Sequence, residues 1–387
     1  MKVTIIGAGI VGVTTAYFAY KKGHDVIVID PEGIANKCSY ANGGQVSVCN
    51  SQVWNTWGNI QKAMLWLGRE NAPLLVRPDF DLDRIKWLTK FFKEVLTNTS
   101  DKNTSKTIIL GLKSRKLYAE MFQEVDGLER LADIEYNGIL HVYTQPKDYQ
   151  DALAKVKFFT DRGVEWQDIK ASGITKIEPS LLSYSKNIVG GIFTPSDFTG
   201  DIHRFCIHLL TWLQSKGVKF DHLSALNSKQ DLDKHPSDVY VFCTGSNLGK
   251  HAAWYEKNLY IYPVKGYSLT IMAPSNHIPK VSILDEHAKI VTSKLGNKFR
   301  IAGTAEFTGH DESINPNRLK PLYDWVNSNF SHIDTSKAEE WSCLRPMRPN
   351  MLPIVGKFTN NIFYNGGHGH LGWTLAPATA QHLVEIL

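Results

Sequence analysis

Val3-Thr4-Ile5-Ile6-Gly7-Ala8-Gly9-Ile10-Val11-Gly12 stands at the start of the chain and decides its fold. The first four residues are an apolar, β-branched run, the pattern of a buried strand. The next six fit Gly-x-Gly-x-x-Gly. Beyond them, apolar positions that include Ala16, Phe18 and Ala19 predict a helix reaching Lys22, with Gly23 closing it. Val26-Ile27-Val28-Ile29 predicts a second buried strand, with Asp30 at its carboxyl end and Pro31 beside it. Gly7 permits the tight turn, Gly9 lets the backbone approach a pyrophosphate, and Gly12 lets the helix pack closely on the strand. Ala8, Ile10 and Val11 complete the turn, whose helix N-terminus offers N–H groups and partial positive charge to phosphates. Asp30 can accept a hydrogen bond from an adenosine ribose. A lone glycine motif is weak, but strand, loop, helix, strand and acid in register read as a dinucleotide site. The motif alone leaves FAD and NAD both open.

The rest of the 387-residue chain is ordinary globular composition, 43% hydrophobic and 21% charged, long enough for two or three units and a large core. Lysine and arginine total 43 against 38 acids. A surplus of +5 suits an acidic small molecule or an anionic membrane surface and is too weak to argue for nucleic acid. Cys38, Cys49, Cys206, Cys243 and Cys343 lie far apart with no C-x-x-C pair, which predicts reduced thiols, no disulfide framework and a cytoplasmic setting. The scattered histidines have no metal-ligand spacing, so no metal is expected. No secretory h-region precedes the glycine loop, and no apolar run reaches spanning length.

The segment after the second strand leans towards FAD. Ser39-Tyr40-Ala41-Asn42-Gly43-Gly44-Gln45-Val46-Ser47 is a small, polar loop able to lay backbone N–H groups and an amide beside a polar ring. Here the chain resembles the D-amino acid oxidase and glycine oxidase superfamily of FAD-dependent enzymes, and within it the bacterial D-amino acid dehydrogenase small-subunit type, whose flavin loop has the pattern Ser-x-Ala-Asn-x-Gly-Gln. The likeness recurs at Tyr262-Pro263-Val264-Lys265-Gly266-Tyr267-Ser268-Leu269-Thr270, at Gly303-Thr304-Ala305-Glu306, at Leu344-Arg345-Pro346-Met347, and from Gly367 through His368, Gly369, Leu371, Gly372 and Trp373 to Thr374.

The resemblance implies an α/β fold in which a Rossmann-type FAD-binding unit (1–52, 200–259 and 342–387) is interleaved with a sheet-based α+β substrate unit (53–199 and 260–341). It implies FAD as cofactor, oxidation of a small D-amino acid such as D-alanine or D-proline to its imino acid and then 2-oxo acid, and a quinone-type electron acceptor. Direct hydride transfer to the flavin leaves the protein mainly with orientation to supply. The strand Val239 to Phe242, opening into Thr244-Gly245, resembles the family's second cofactor contact. Leu226 is a further backbone contact by position.

Three side chains are candidates for substrate chemistry. By residue type alone, Arg345 is open between a carboxylate clamp and an arginine paired structurally with an acid. The family's carboxylate-binding motif favours the clamp. Tyr267 reads on its own as a half-buried strand tyrosine, and the resemblance instead has its hydroxyl close over the same carboxylate. His368 sits among glycines before a helix from about Thr374 towards Leu387, and is expected as a polar wall of the pocket, with a general-base role as the alternative. The chain departs from the family at Cys343, often glycine there, and at Arg348, Asn350 and Met351. Arg348 is read as a surface charge, with selection of acidic substrates as the alternative.

Ile85, Leu88, Phe91, Phe92 and Val95 fall on one face of a predicted helix over 83–97, interrupted by Arg84, Lys86, Lys90 and Lys93 and flanked by Trp87. Ala63-Met64-Leu65-Trp66-Leu67 adds apolar surface upstream. A basic amphipathic helix of this kind either packs on the substrate unit or lies on a membrane surface near the acceptor. Oxygen-using D-amino acid, glycine or sarcosine oxidation, a flavin subunit of a D-proline or hydroxyproline dehydrogenase complex, and an NAD enzyme remain competing readings. Oligomeric state is not written in the sequence.

Overall fold

The computed structural model of the chain describes residues 1–66, 68–77 and 80–387; Leu67 lies outside them. Lys2–Ile6 forms the middle of a six-stranded sheet. The order is Ile354–Thr359, Ile362–Gly366, Val239–Phe242, Lys2–Ile6, Asp25–Ile29, Lys219–Asp221. Its neighbours are parallel except for the first pair. Parallel central strands are covered on both faces, which is why Val3 and Ile5 are fully buried and the run is continuously apolar. Helices Ile10–Lys21, Ile202–Ser215 and Gly372–Glu385 supply Ala16, Leu209, Trp373 and Leu383 to that core. A Cβ on Gly12 would lie 1.7 Å from the Gly7 carbonyl oxygen, so the first helix meets its loop at a distance only glycine allows.

Two local devices fix the helices. Asp201 caps Ile202–Ser215 by accepting from the backbone N–H groups of His203 and Arg204 at 3.1 and 3.2 Å. Gly372–Glu385 contains Pro377, which has no N–H for the carbonyl four residues back. Tyr118 donates to that freed carbonyl, on Trp373, at 2.6 Å.

A second, largely antiparallel sheet runs Glu339–Met347, Tyr262–Met272, Lys298–Phe307, Ile290–Leu295, Ser282–Asp285, Ile139–Tyr143, Gly190–Thr194, Gln167–Lys170, with Leu74–Val76 added beside Lys298–Phe307. Helix Pro316–Asn329 covers one face, packing Leu319, Leu322 and Val326 on Leu269, Ile271 and Ile301. The sequence-based boundary at residue 342 falls inside Glu339–Met347, a strand paired with Tyr262–Met272 from Glu339 to Met347.

The pairing of Tyr262–Met272 with Lys298–Phe307 slips once. Lys265 faces Glu306 and Tyr267 faces Gly303, so Thr304 and Ala305 together oppose Gly266. Thr304 there has φ +53, a conformation that a β-branched residue rarely adopts. This bulge lies at the edge of a large cavity between the two sheets.

Candidate active site

The cavity, of about 1150 Å³, extends from the glycine loop of the first sheet to one face of the second. At its first end it is lined by Gly7, Gly9, Ile10, Val11, Asp30 and Pro31. Gly7 has φ +108, and a Cβ on it would meet the Cys243 carbonyl at 2.4 Å. The Asp30 carboxylate accepts from Ala8 N–H at 2.8 Å and Glu32 N–H at 3.0 Å, so it orders the phosphate turn as well as facing the cavity. Burial raises its pKa, against the pull of those two N–H groups. Ser39 Oγ accepts from Ile10 N–H at 3.1 Å, tying the second loop to the helix N-terminus.

The flavin-type loop is held by its own side chains and by side chains of the second sheet. Asn42 Oδ1 accepts from Gly44 N–H at 2.9 Å, Gln45 donates to Ser282 at 2.8 Å, and the Gly43 carbonyl accepts from Ser293 at 2.7 Å. Gly43 and Gly44 are required by contact: added Cβ atoms would come within 2.8 Å of Val291 and 2.9 Å of Ser293. The loop therefore offers the cavity chiefly its backbone. Ser39, Asn42, Gly43, Gln45, Leu226, Thr244, Gly245, Gly369, Leu371, Gly372, Trp373 and Thr374 all line the cavity. Ala8, Gly12, Gly44, Val46 and Gly367 stand behind it as packing or turn residues. Val46, for example, is fully buried opposite Phe198.

At the far end, Arg345 crosses the second sheet. Its guanidinium occupies the space a side chain on Gly266 would fill, with Cζ 2.1 Å from that ideal Cβ. Nη1 donates to the Thr304 carbonyl at 2.9 Å and Nη2 approaches the Gly303 carbonyl at 3.4 Å. The bulge thus turns two carbonyls onto the arginine. Among the described residues it has no carboxylate within 4 Å, so the structural ion pair that its residue type left open is absent. Burial lowers its pKa, with the adjacent Cys343 and Cys38 opposing. It stays a cation, because guanidinium does not deprotonate in proteins. A half-satisfied guanidinium in a cavity wall is a receptor for an incoming carboxylate.

Tyr267 is a correction. Val264 and Gly266 pair with Arg345 and Cys343, whereas Tyr267 pairs with Ser342 on the opposite face. Its hydroxyl donates to the buried Glu306, which also takes two bonds from Arg77 at 2.9 and 2.8 Å. Burial first, and then Glu306, raise its pKa. Tyr267 borders the cavity, but its hydroxyl is directed away from Arg345. His368 lies in the wall of the pocket. Its Nε2 is paired with Thr379 at 2.9 Å and burial lowers its pKa to about 3, so it is a neutral wall rather than a base. Arg348 is neither on the surface nor in the pocket. It is partly buried and donates to the carbonyls of Leu259 and Leu352 at 3.3 and 3.2 Å.

Sequence reasoning missed His370. It lines the cavity, stacks on Trp54 with ring centroids 4.7 Å apart, and is held neutral by burial and by Arg345, its pKa falling to about 3. By sequence it is one more scattered histidine, and only its place in the glycine-rich loop hints otherwise. A further polar chain runs from behind the wall to the cavity surface, which its members Glu286 and Lys289 reach. Cys49 Sγ lies 2.9 Å from His141 Nε2, His141 Nδ1 lies 2.8 Å from Glu286, and Lys289 holds the other Glu286 oxygen at 2.6 Å. Burial alone would lower the His141 pKa, but Cys49 and Glu286 outweigh it and hold it up to about 10.

Helices Trp57–Trp66 and Leu82–Leu96 flank the cavity with Ala63, Met64, Leu88 and Phe91. Trp57–Trp66 buries none of its residues, and Met64 and Leu65 are 67% and 70% exposed. On Leu82–Leu96 the inward anchor is Trp87, bonded to the Met347 carbonyl at 2.9 Å and stacked on Phe91, while Ile85 and Phe92 turn outward. Arg84, expected on a basic edge, is buried and bonded to the Phe307 carbonyl at 3.4 Å. No helix among the described residues is long and apolar enough to cross a membrane.

Fold and cavity together give a dinucleotide cradle opening onto a sheet-walled chamber. The family described as FAD dependent oxidoreductase matches residues 2–386, and the chain belongs to it. It is 38% identical to D-amino acid dehydrogenase 3 of Mesorhizobium japonicum over 406 residues, covering 100% of this chain and 97% of that protein. It is 33% identical to a D-amino acid dehydrogenase of Dechloromonas aromatica, with the same coverage of 100% and 97%. Among solved structures, glycine oxidase from Geobacillus kaustophilus shares the fold with a TM-score of 0.76 at 17% identity, over 99% of this chain and 94% of that one. L-Proline dehydrogenase from P. horikoshii does so with a TM-score of 0.73 at 15% identity, over 99% and 92%.

FAD is the cofactor of this family, and the cavity suits it. The glycine cradle at one end is matched along the walls by Asn365, Ser268, Thr304 and Trp341, all lining residues with buried polar atoms that have no hydrogen-bond partner among the described residues. Such atoms call for a polar ligand.

Proposed function

We propose that the protein is an FAD-dependent D-amino acid dehydrogenase that converts small D-amino acids, D-alanine and D-proline foremost, through the imino acid to the 2-oxo acid and ammonia (for D-proline, the cyclic imine). The carrying observation is the Arg345 guanidinium, laid over Gly266 and without an acid partner among the described residues. The names of the two relatives supply the substrate class.

In this reading Gly7, Gly9, Ile10 and Val11 receive the pyrophosphate and Asp30 the ribose. The backbones of Asn42 to Gln45 and of Gly369 to Thr374 would hold the flavin ring, and Leu226, Thr244 and Gly245 would hold the nucleotide. FAD supplies the two-electron acceptor. Arg345 grips the substrate carboxylate with the part of its fork not engaged by Thr304, fixing the α-carbon in one orientation. The neutral His370 and Trp54 form a dry wall beside it, which disfavours a charged amine and so promotes loss of its proton before oxidation. Electrons pass onward to a quinone-type acceptor. The apolar surface of Trp57–Trp66, with Ile85 and Phe92, would rest against a membrane surface at the cavity mouth.

Anaerobic titration of the yellow protein with D-alanine, L-alanine, D-proline, glycine and sarcosine tests this. Rapid bleaching by D-alanine or D-proline but not L-alanine is expected. A flavin spectrum that no amino acid bleaches would refute the activity. Stoichiometric peroxide formation in air without added quinone would replace the dehydrogenase reading by an oxidase.

A further inference from the structure

The loop carrying Cys38 lies along the strand that carries Arg345, and its contacts run in opposite order along the two segments. Cys38 Sγ donates to the Leu344 carbonyl at 2.8 Å. The Tyr40 ring packs on Trp341 with centroids 4.6 Å apart, and its hydroxyl donates to Glu339 at 2.8 Å. This register sets Cys38 against residues 343 and 344. Cys343 faces the cavity, because it pairs with Gly266 on the face that Arg345 crosses. Both thiols line the cavity and interact with each other. They are also the two cysteines that are only half-buried, whereas Cys49, Cys206 and Cys243 are fully buried.

The two sulfurs are not equivalent. Contact with Cys38 and the nearby Arg345 lower the Cys343 pKa despite its burial. Cys38 is held as the thiol by its contact with Cys343 and by burial. Cys38 has its proton engaged on the Leu344 carbonyl, whereas Cys343 shares a strand face with the Arg345 cation, so Cys343 is the nucleophile and Cys38 the resolving partner of a peroxide-sensitive pair.

We propose that Cys38 and Cys343 are a reversible redox-modification site, which a small peroxide closes into a disulfide linking the cofactor loop to the Arg345 strand. The Cys343 thiolate attacks one peroxide oxygen, the O–O bond breaks, and protonation of the leaving oxygen gives water. The Cys38 sulfur then attacks the resulting sulfenic sulfur, forming the S–S bond and releasing a second water. Two thiols lose two electrons and two protons, and one peroxide is reduced to two waters. The link lies two residues from Arg345 and one from Ser39, which bonds the first helix N-terminus. Closing it draws the arginine out of register with its Gly266 slot.

The test treats the FAD-loaded enzyme with stoichiometric hydrogen peroxide, alkylates it, and maps unreduced peptides by mass spectrometry. A Cys38–Cys343 link is expected, with retained flavin and a loss of turnover of about 100-fold, as for an ångström-scale misplacement. A thiol reductant restores turnover, and Cys38→Ser and Cys343→Ser each prevent both the link and the loss. Should Cys343→Ser not fold, Cys38→Ser carries the test alone. No link, a link that leaves turnover unchanged, or equal inactivation of the serine variants would overturn the proposal. The peptide map reads the link whatever the substrate, so a wrong substrate assignment and a wrong redox site fail separately.

Discussion

The two ends of one cavity are built by opposite devices. At the phosphate end, backbone and glycine do the holding, and the partners are near in sequence: Ala8 and Asp30, 22 residues apart, bond directly. At the substrate end a charged side chain is held by three strands, and its partners are remote. Arg345 reaches carbonyls 41 and 42 residues away and lies over Gly266 of a third strand. The first end is set by local chain geometry, and the second by sheet register. Damage to the first should therefore cost the cofactor, whereas damage to the second should cost the substrate alone.

The sharpest break in that comparison is Gly12→Ala. Its Cβ would sit 1.7 Å from the Gly7 carbonyl, between helix backbone and loop backbone, where neither can give. The purified variant is expected to be colourless or unfolded, which absorbance at the flavin bands against protein content reads directly. Gly266→Ala should do the converse. Its methyl would displace the Arg345 guanidinium, so flavin content is retained while kcat/KM falls by about 100-fold. Loss of flavin in this variant would show the two ends to be one unit.

A third effect is on stability. The His141 pKa is raised to about 10 by Cys49 and Glu286, net of burial. A raised pKa contributes stability that is complete below the unfolded value of 6.5 and is lost as pH rises through about 10. Thermal melts of the wild type should therefore fall by roughly 5 °C between pH 6.5 and 10 beyond those of His141→Gln, since a shift of this size is about 4–5 kcal/mol and a chain of this length loses about 1 °C per kcal/mol. Parallel pH curves would show that the imidazole carries no charge there. The smallest effect on function is expected of Tyr267→Phe. It removes a donor from Glu306 and costs about 1–3 kcal/mol of stability, yet KM should stay within a factor of about two. A large rise in KM would return the hydroxyl to the substrate.

The dinucleotide end is readable in the sequence because each requirement is local. Gly7, Gly12 and Asp30 sit where the strand-turn-helix pattern puts them. The substrate end is readable only in part. The motif around Arg345 marks it out, but Tyr267 is misread because strand parity decides which face a side chain takes. One usable sign was present: a glycine inside an apolar strand marks close approach of another group. Gly266 therefore belongs to the face Arg345 crosses, and its neighbour Tyr267 to the other. His370 had no such sign, since its stacking on Trp54 joins positions more than three hundred residues apart. The Thr304 bulge was equally silent, because no residue preference announces a β-branched side chain at positive φ.

Everything at the substrate end turns on the unpaired Arg345 as the substrate's anchor. Rapid-mixing reduction of the flavin by D-alanine, without oxygen, in wild type and Arg345→Leu tests that role most directly. Both proteins should be equally yellow, and the variant should lose about 3–5 kcal/mol in its second-order reduction rate, as when one member of a buried charge pair is removed. Equal rates of bleaching in the two proteins would contradict it.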